Sequence, residues 1–216
     1  MAESPRILHL FNRYRFFGGE EAAVLRMSQV MRDEGAALEE LLVSSNDWEG
    51  PEAPPKWQQP FRAFYNPDAI QRLRVAHAKQ KPDLWLGHNL LPVLSLSTLR
   101  EARRQRVPLA LYLHNYRPYS TNGAFWCDGK LETGGLTRRF LPEVLAGAFQ
   151  GSIARTAWIA LLLHLGHRLG WFRQVDAWIA VSHFVRDRFI EAGVPAEKVH
   201  VLAYPFFPRH EEPTPP

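Results

Sequence analysis

Residues 82–129 read PDLWLGHNLLPVLSLSTLREARRQRVPLALYLHNYRPYSTNGAFWCDG, and this stretch decides the fold. It holds two apolar runs, Leu84–Gly87 and Leu109–Leu113, each of a length and composition suited to a buried strand. Each run ends in the same dipeptide, His88-Asn89 in the first and His114-Asn115 in the second. Between them Ser95–Arg106 reads as a helix: Leu96, Leu99 and Ala102 share one face, while Arg100, Arg103, Arg104 and Arg106 lie elsewhere. Val107-Pro108 punctuates the helix before the second strand. Strand, helix and strand in this order predict a parallel crossover. Open parallel sheets bind ligands outside the carboxyl ends of their strands. The two His-Asn pairs are therefore expected to converge on one cleft, together with a Gly-Gly loop near the N-terminus.

The pattern extends in both directions. Upstream, Arg6–Leu10 (RILHL) is a short apolar run suited to a first strand. Gly18-Gly19 breaks the chain, and Glu20-Glu21 favour the first turn of a helix. Ala23, Val24, Met27 and Met31 give that helix an apolar stripe, and Gly35 can close it in a left-handed cap. Leu38–Ser44 reads as the next strand, and Asn46–Pro60, with four prolines, as a long surface connection. Asn66-Pro67-Asp68 signals a helix start, with the helix running to about Lys79. Downstream, residues 115–151 lose all periodicity and read as an irregular loop with one short helix near Arg139–Phe149; loops of that length are usually functional or mobile. Ser152–Phe172 is an apolar helix. It is either a buried packing helix or one lying in a membrane interface, with Trp158, Trp171 and Phe172 as anchors. Ala177–Val181 is a strand, Ser182 caps a helix over His183–Glu191 that Gly193 ends, and Lys198–Leu202 is a last strand. The expected architecture is α/β: a doubly wound parallel sheet in a single domain over residues 1–204, with 205–216 as a linker or free tail.

A chain of 216 residues with 46% apolar composition suits one substantial globular domain. No run of 18 apolar residues occurs, so no transmembrane helix is expected, and MAESPRILHL does not read as a signal peptide. A lone cysteine, Cys127, excludes an internal disulfide and a cysteine-based zinc site. Both features point to the cytoplasm. The net charge of +4 fits either a slightly basic surface or affinity for an anionic one, such as phospholipid headgroups or a phosphorylated substrate. Nucleic acid is disfavoured, because the arginines do not cluster with aromatic residues at a recognisable motif spacing. No H-E-x-x-H, G-x-S-x-G or G-x-G-x-x-G occurs, so a metalloprotease site, a nucleophile elbow and a nicotinamide fingerprint find no support.

The candidate site residues each carry two readings. His114 at a strand end can hydrogen-bond a ligand hydroxyl as a neutral imidazole, or cap strand carbonyls. Arg117 can meet a phosphate or carboxylate, or pair with a nearby acid. Asn89 suits hydroxyl recognition or loop stabilisation, and His88 stands beside it. Gly18-Gly19 with Glu20 can bring backbone N–H groups of a helix start to a phosphate, or form a plain turn. Ser182 can cap its helix and also aim that helix end at the cleft.

Several blocks resemble a known family. FFGGEEAAVLRMSQVMRDEG, PDLWLGHNLLPVLSLSTLREARRQRVPLALYLHNYRP, NGAFWCDGK and VDAWIAVSHFVRDRFIEAGVPAEKVHVL are similar, in order and spacing, to the N-terminal, acceptor-side domain of glycosyltransferase family 4, the retaining GT-B enzymes. The resemblance implies a Rossmann-like domain corresponding to the N-terminal half of a GT-B fold. It implies transfer of a sugar from a nucleotide diphosphate donor to a saccharide or lipid-linked acceptor, in surface polysaccharide or lipopolysaccharide synthesis at the cytoplasmic face of the membrane. It implies no metal and no cofactor beyond the nucleotide sugar. His114 would be the catalytic residue, Gly18, Gly19 and Glu20 the loop near the donor phosphates and acceptor, and His88, Asn89, Asn115, Arg117 and Ser182 the acceptor side. A C-terminal donor-binding domain or subunit, carrying the paired glutamates of an E-x7-E motif, would be the partner, and without it the chain would be inactive. The alternative is a non-catalytic module that keeps the fold to bind saccharide, lipid or protein. The chain departs from the family in two places: only Cys127 remains of the cysteines that often follow the LHNYR block, and Ala203-Tyr204 stands where Asn-Phe is common.

Overall fold

A computed structural model describes residues 4–205. Strand β1 (Arg6–Arg13) is followed by helix α1 (Gly19–Asp33) and strand β2 (Ala37–Ser44). Helices α2 (Gln59–Phe64) and α3 (Pro67–Gln80) lead to β3 (Leu84–Gly87), α4 (Ser97–Gln105) and β4 (Leu109–Leu113). A small hairpin, β5 (Trp126–Cys127) and β6 (Lys130–Leu131), and the short helix α5 (Leu141–Leu145) interrupt the alternation. It resumes with α6 (Ile153–Arg168), β7 (Ala177–Ala180), α7 (His183–Glu191) and β8 (Val199–Val201).

Six strands form one sheet in the order β2-β1-β3-β4-β7-β8, and every pairing is parallel. The chain leaves β1 to one side for β2 and returns on its other side for β3. That reversal is a topological switch point, where the loops diverge and leave a crevice at the carboxyl edge. Side chains alternate across the sheet. Leu8, Leu10, Trp85, Leu109, Leu111, Leu113 and Trp178 enter the larger core with α3, α4, α6 and α7. Ile7, Phe11, Leu86, Ala110 and Tyr112 point the other way and meet Val24 and Met27 of α1. The expected doubly wound α/β sheet is therefore what the protein forms, with helices on both faces.

Local signals behave as their chemistry requires. The Asn66 side chain accepts the Asp68 N–H at 3.2 Å, with Pro67 opening α3. Ser182 Oγ accepts the Val185 N–H at 3.3 Å and starts α7. Gly35 adopts φ +84° just after α1. Other segments differ from expectation. β1 runs three residues beyond Leu10, and α2 occupies part of what reads as connection. The helix expected over Ser152–Phe172 stops at Arg168, where Gly170 at φ +71° reverses the chain. Trp171 and Phe172 then turn into the core, at 8% and 6% exposure, and Trp171 stacks on Phe64 with ring centroids 4.7 Å apart. These two rings are packing groups and do not serve as membrane anchors. Trp158 donates its indole N–H to the Pro60 carbonyl at 3.2 Å.

The long segment after β4 is irregular but pinned. Glu143 on α5 is buried and accepts from Ser120 Oγ at 2.9 Å, from the Thr121 N–H at 2.6 Å and from Thr121 Oγ1. A buried carboxylate holding three donors fixes the loop that carries Arg117. Among the described residues no helix is long and apolar enough to cross a membrane. The tail expected over 205–216 lies, from residue 206 on, outside the described residues.

Candidate functional site

Three strands deliver imidazoles to one line. His9 lies on the α1-facing side of β1, His88 follows β3, and His114 follows β4. In the parallel register His9 pairs with Leu86, and Gly87 with Leu111, so each strand's histidine sits two residues nearer the carboxyl edge than its neighbour's. The offset turns a row into a diagonal that climbs from mid-sheet to the cleft. His9 Nε2 meets His88 Nε2, His88 Nδ1 meets His114 Nε2 at 2.7 Å, and His114 Nδ1 meets the Tyr204 hydroxyl at 2.8 Å. Tyr204 stacks on the His114 ring, with centroids 5.5 Å apart. Burial drives the His9 pKa down to about 4, with Glu40 pulling up and Arg32 pushing down more weakly. Burial, reinforced by the neighbouring His9 and His114, holds His88 well below its ordinary range. Burial, with a smaller push from His9, takes His114 to about 3. All three rings are neutral at physiological pH.

Beside His114 lies a second polar group. Tyr14 donates its hydroxyl to Glu20 Oε2 at 3.1 Å, and Asn115 Nδ2 lies 3.3 Å from the Tyr14 oxygen and 3.4 Å from Glu20 Oε2. Asn115 Oδ1 accepts the Arg117 N–H at 2.9 Å. The other carboxyl oxygen, Glu20 Oε1, is buried without a hydrogen-bond partner. Burial raises the Glu20 pKa to about 7; Tyr14, Arg117 and Asn115 offset part of that rise. A carboxyl with an open oxygen and a pKa near neutrality can accept a ligand hydroxyl and take its proton. Glu20, His114, Asn115 and Arg117 line one cavity, and Leu91, Leu96, Leu113 and Leu163 supply much of its apolar wall. Such a mixture of apolar surface and a few convergent polar groups is the usual make-up of a small-molecule site.

The family model for Glycosyltransferase Family 4 matches residues 17–204. The chain belongs to this family. Solved structures are similar at low identity. The UDP-GlcNAc 2-epimerase from Neisseria meningitidis, bound to UDP-GlcNAc, has 12% identity and a TM-score of 0.49, over 91% of this chain and 45% of that one. The lipopolysaccharide outer core galactosyltransferase WaaB, in apo form, has 10% identity and a TM-score of 0.47, over 93% of this chain and 46% of that one. Anabaena HepE in complex with UDP and glucose has 17% identity and a TM-score of 0.47, over 94% of this chain and 45% of that one. The chain thus spans less than half the length of these structures. No curated protein matches it.

In this family 4 domain the expected site residues fall into three groups. His114, Glu20, Asn115 and Arg117 come together at the cavity, although Arg117 spends one nitrogen on the Thr121 carbonyl at 2.7 Å and lies over the Phe149 ring. His88 and Asn89 border it but are committed internally. Both His88 nitrogens are taken by histidines, and the Asn89 amide donates to the Asn12 and Leu91 carbonyls while its oxygen accepts the Leu91 N–H. The loop-stabilising reading of Asn89 is the one its geometry supports. Gly18, Gly19 and Ser182 do not line the cavity. Gly18 is the cap residue of α1, in extended conformation, and Ser182 caps α7 at the end of β7. Sequence reasoning missed His9, Tyr14 and Tyr204. A histidine inside the otherwise apolar RILHL run was the available signal for the first. Tyr14 and Tyr204 lie in segments with no periodicity, and nothing local marks them.

Proposed function

We propose that the chain is the acceptor-binding half of a retaining glycosyltransferase, which moves a sugar from a nucleotide diphosphate donor to a saccharide or lipid-linked acceptor in surface polysaccharide synthesis. The observation that carries this reading is the shared cavity of a neutral His114 and a Glu20 carboxyl with one open oxygen, at the carboxyl edge of the sheet. His114 is the catalytic candidate at the sugar. Asn115 and Arg117 bind the acceptor, with His88 and Asn89 supporting them from behind. Gly18 and Gly19 offer the start of α1 to the donor phosphates, and Ser182 orients α7 at the same edge.

The partner is a C-terminal donor-binding domain or subunit. Phe16, Phe17, Phe184 and Leu202, which follow or adjoin strand ends, are each more than half exposed, which suits an apolar surface waiting for a cover. Titration of the 216-residue chain with methyl glycosides, followed by NMR, tests the reading. The expected result is weak binding that perturbs Glu20 and Asn115, without turnover of nucleotide sugar until a donor domain is supplied. Turnover by the chain alone would refute the half-site. Saccharide, lipid or protein binding that never supports transfer would favour the alternative, a non-catalytic module.

Peripheral contact with an anionic membrane belongs to the same reading. It is supported by Leu141, Leu145, Leu161 and Leu169, all exposed on or beside α5 and α6, with Arg138, Arg139 and Arg168 exposed among them. Pelleting with anionic liposomes should weaken as salt rises; no pelleting at low salt would remove the membrane from the proposal.

A further inference from the structure

The line of imidazoles does not end inside the sheet. His9 Nδ1 meets Ser28 Oγ of α1 at 2.9 Å, and Ser28 Oγ donates to Glu40 Oε1 of β2 at 2.7 Å. Glu40 is paired with Arg32 through its other oxygen. The unbroken chain is Arg32, Glu40, Ser28, His9, His88, His114 and Tyr204, and it crosses four strands' worth of sheet beneath α1.

Each hydrogen in that chain has only one possible position when the rings are neutral. An ionised carboxylate has no proton, so Ser28 must donate to Glu40. A hydroxyl has a single proton, so Ser28 can only accept from His9, which places a proton on His9 Nδ1. A neutral imidazole has one donor and one acceptor nitrogen. His9 Nε2 is then an acceptor and His88 Nε2 carries a proton. His88 Nδ1 is in turn an acceptor, and His114 Nε2 carries a proton. His114 Nδ1 is left as an acceptor for the Tyr204 hydroxyl. Reversing any one link would set two donors, or two acceptors, against each other in a buried place, which costs a full unmade hydrogen bond.

We propose that Glu40, acting through Ser28, His9 and His88, sets which nitrogen of His114 carries the proton, and so makes Nδ1, the nitrogen that meets Tyr204, select a hydroxyl donor over a phosphate or carboxylate oxygen. Glu40, Ser28, His9 and His88 are positioning residues in this scheme: the first three do not line the cavity, and His88 borders it with both ring nitrogens already taken. Tyr204, half exposed at the outer end, holds the place that a ligand hydroxyl takes. The selection of a sugar-type hydroxyl rests on the cleft being the acceptor site; the tautomer assignment rests on the hydrogen-bond geometry of three neutral rings ending on an ionised Glu40.

Long-range proton–nitrogen-15 correlation spectra of the full chain at neutral pH test the assignment, because they report which ring nitrogen of each histidine is protonated. The expected pattern is Nε2–H for His88 and His114, and the rarer Nδ1–H for His9. His9 as the Nε2–H form would overturn the proposal. Glu40→Gln supplies an amide that can donate as well as accept, so a measurable fraction of His114 should shift to the Nδ1–H form, and Glu40→Asp should restore the original pattern. A folded Glu40→Gln protein with unchanged tautomers would also overturn it; should that variant not fold, the wild-type spectrum decides alone. Addition of inorganic phosphate should leave the His114 nitrogen resonances unmoved, and a phosphate-bound Nδ1–H signal would contradict the selection. A failure of methyl glycosides to bind would count against the acceptor reading of the cleft and leave the tautomer pattern standing.

Discussion

His9, His88 and His114 occupy a face of the sheet whose other members are Ile7, Phe11, Leu86, Ala110 and Tyr112. Burial there disfavours charge, which is why all three titrate well below 6.5. His167 behaves alike: burial takes it to about 4, and its ring donates to the Pro118 carbonyl at 2.8 Å. The consequence for stability has a definite sign. At His9, His114 and His167 the unfolded chain binds protons near pH 6.5, whereas the folded chain binds them only near 4 or below, and His88 is shifted the same way, so folding loses ground as pH falls through that window. The melting temperature should be flat above about pH 7 and decline toward pH 4, with Glu20, whose carboxyl is raised to about 7 in the folded chain, offsetting part of the loss from the four histidines. A melting temperature that stays level across this range would show that the rings are not held neutral. Glu143 supports a different prediction. Glu143→Ala would strand the Thr121 N–H and the Thr121 hydroxyl without an acceptor in the interior, and would leave the Ser120 hydroxyl only Asn122 Oδ1. A loss of roughly 2–4 kcal/mol in chemical denaturation is expected. None of these roles is readable locally. His9 is one polar residue in an apolar run, and its partners Ser28 and His88 lie 19 and 79 residues away.

Elements were far more legible than side-chain partners, because they are specified by neighbours in sequence. Asn-Pro-Asp before an apolar stripe supplies a cap, a preset φ and an acid, and α3 starts there. The same Asn66 also donates to the Val93 carbonyl at 2.7 Å, a contact 27 residues away that no capping rule announces. Two substitutions separate the roles. Asn66→Ala should cost about 1–2 kcal/mol through lost capping, and more through the unmet Val93 carbonyl. Asn66→Asp keeps the capping acceptor but removes the donor, so its melting temperature should fall between those of wild type and Asn66→Ala. An Asn66→Asp protein as stable as wild type would mean that the Val93 contact contributes nothing, and one as unstable as Asn66→Ala that the cap contributes nothing. The end of α6 shows where local reading fails. Residues 152–172 are mostly apolar and their few polar residues mark no boundary near 168; the chain turns at Gly170, and Trp171 and Phe172 pack against Phe64 and Trp178.

At the scale of the whole molecule the sheet is the organising body, and its larger core unites β1, β3, β4 and β7 with α3, α4, α6 and α7. Trp178 sits at its centre, 2% exposed, between Phe172 and Phe189. Trp178→Ala should cost about 3–5 kcal/mol in denaturant unfolding, and should loosen the Phe172 turn and α7 together, since Phe172 and Phe189 both pack on that ring. The parallel, doubly wound architecture was already written in the alternation of short apolar runs with helical stripes, because periodicity is a property of consecutive residues and each strand-helix-strand unit has one favoured handedness. The carboxyl edge as the place of the site followed from the same pattern. Strand order, and with it the switch point between β1 and β3, needed the tertiary structure. So did the union of His114 with Glu20, and the diagonal from Glu40 to Tyr204. Those contacts join residues up to 101 positions apart, between Asn115 and Tyr14, and 90 apart, between His114 and Tyr204. Partners at such separations are chosen by the register of neighbouring strands and by the packing of α1 on the sheet, which no stretch of sequence encodes by itself.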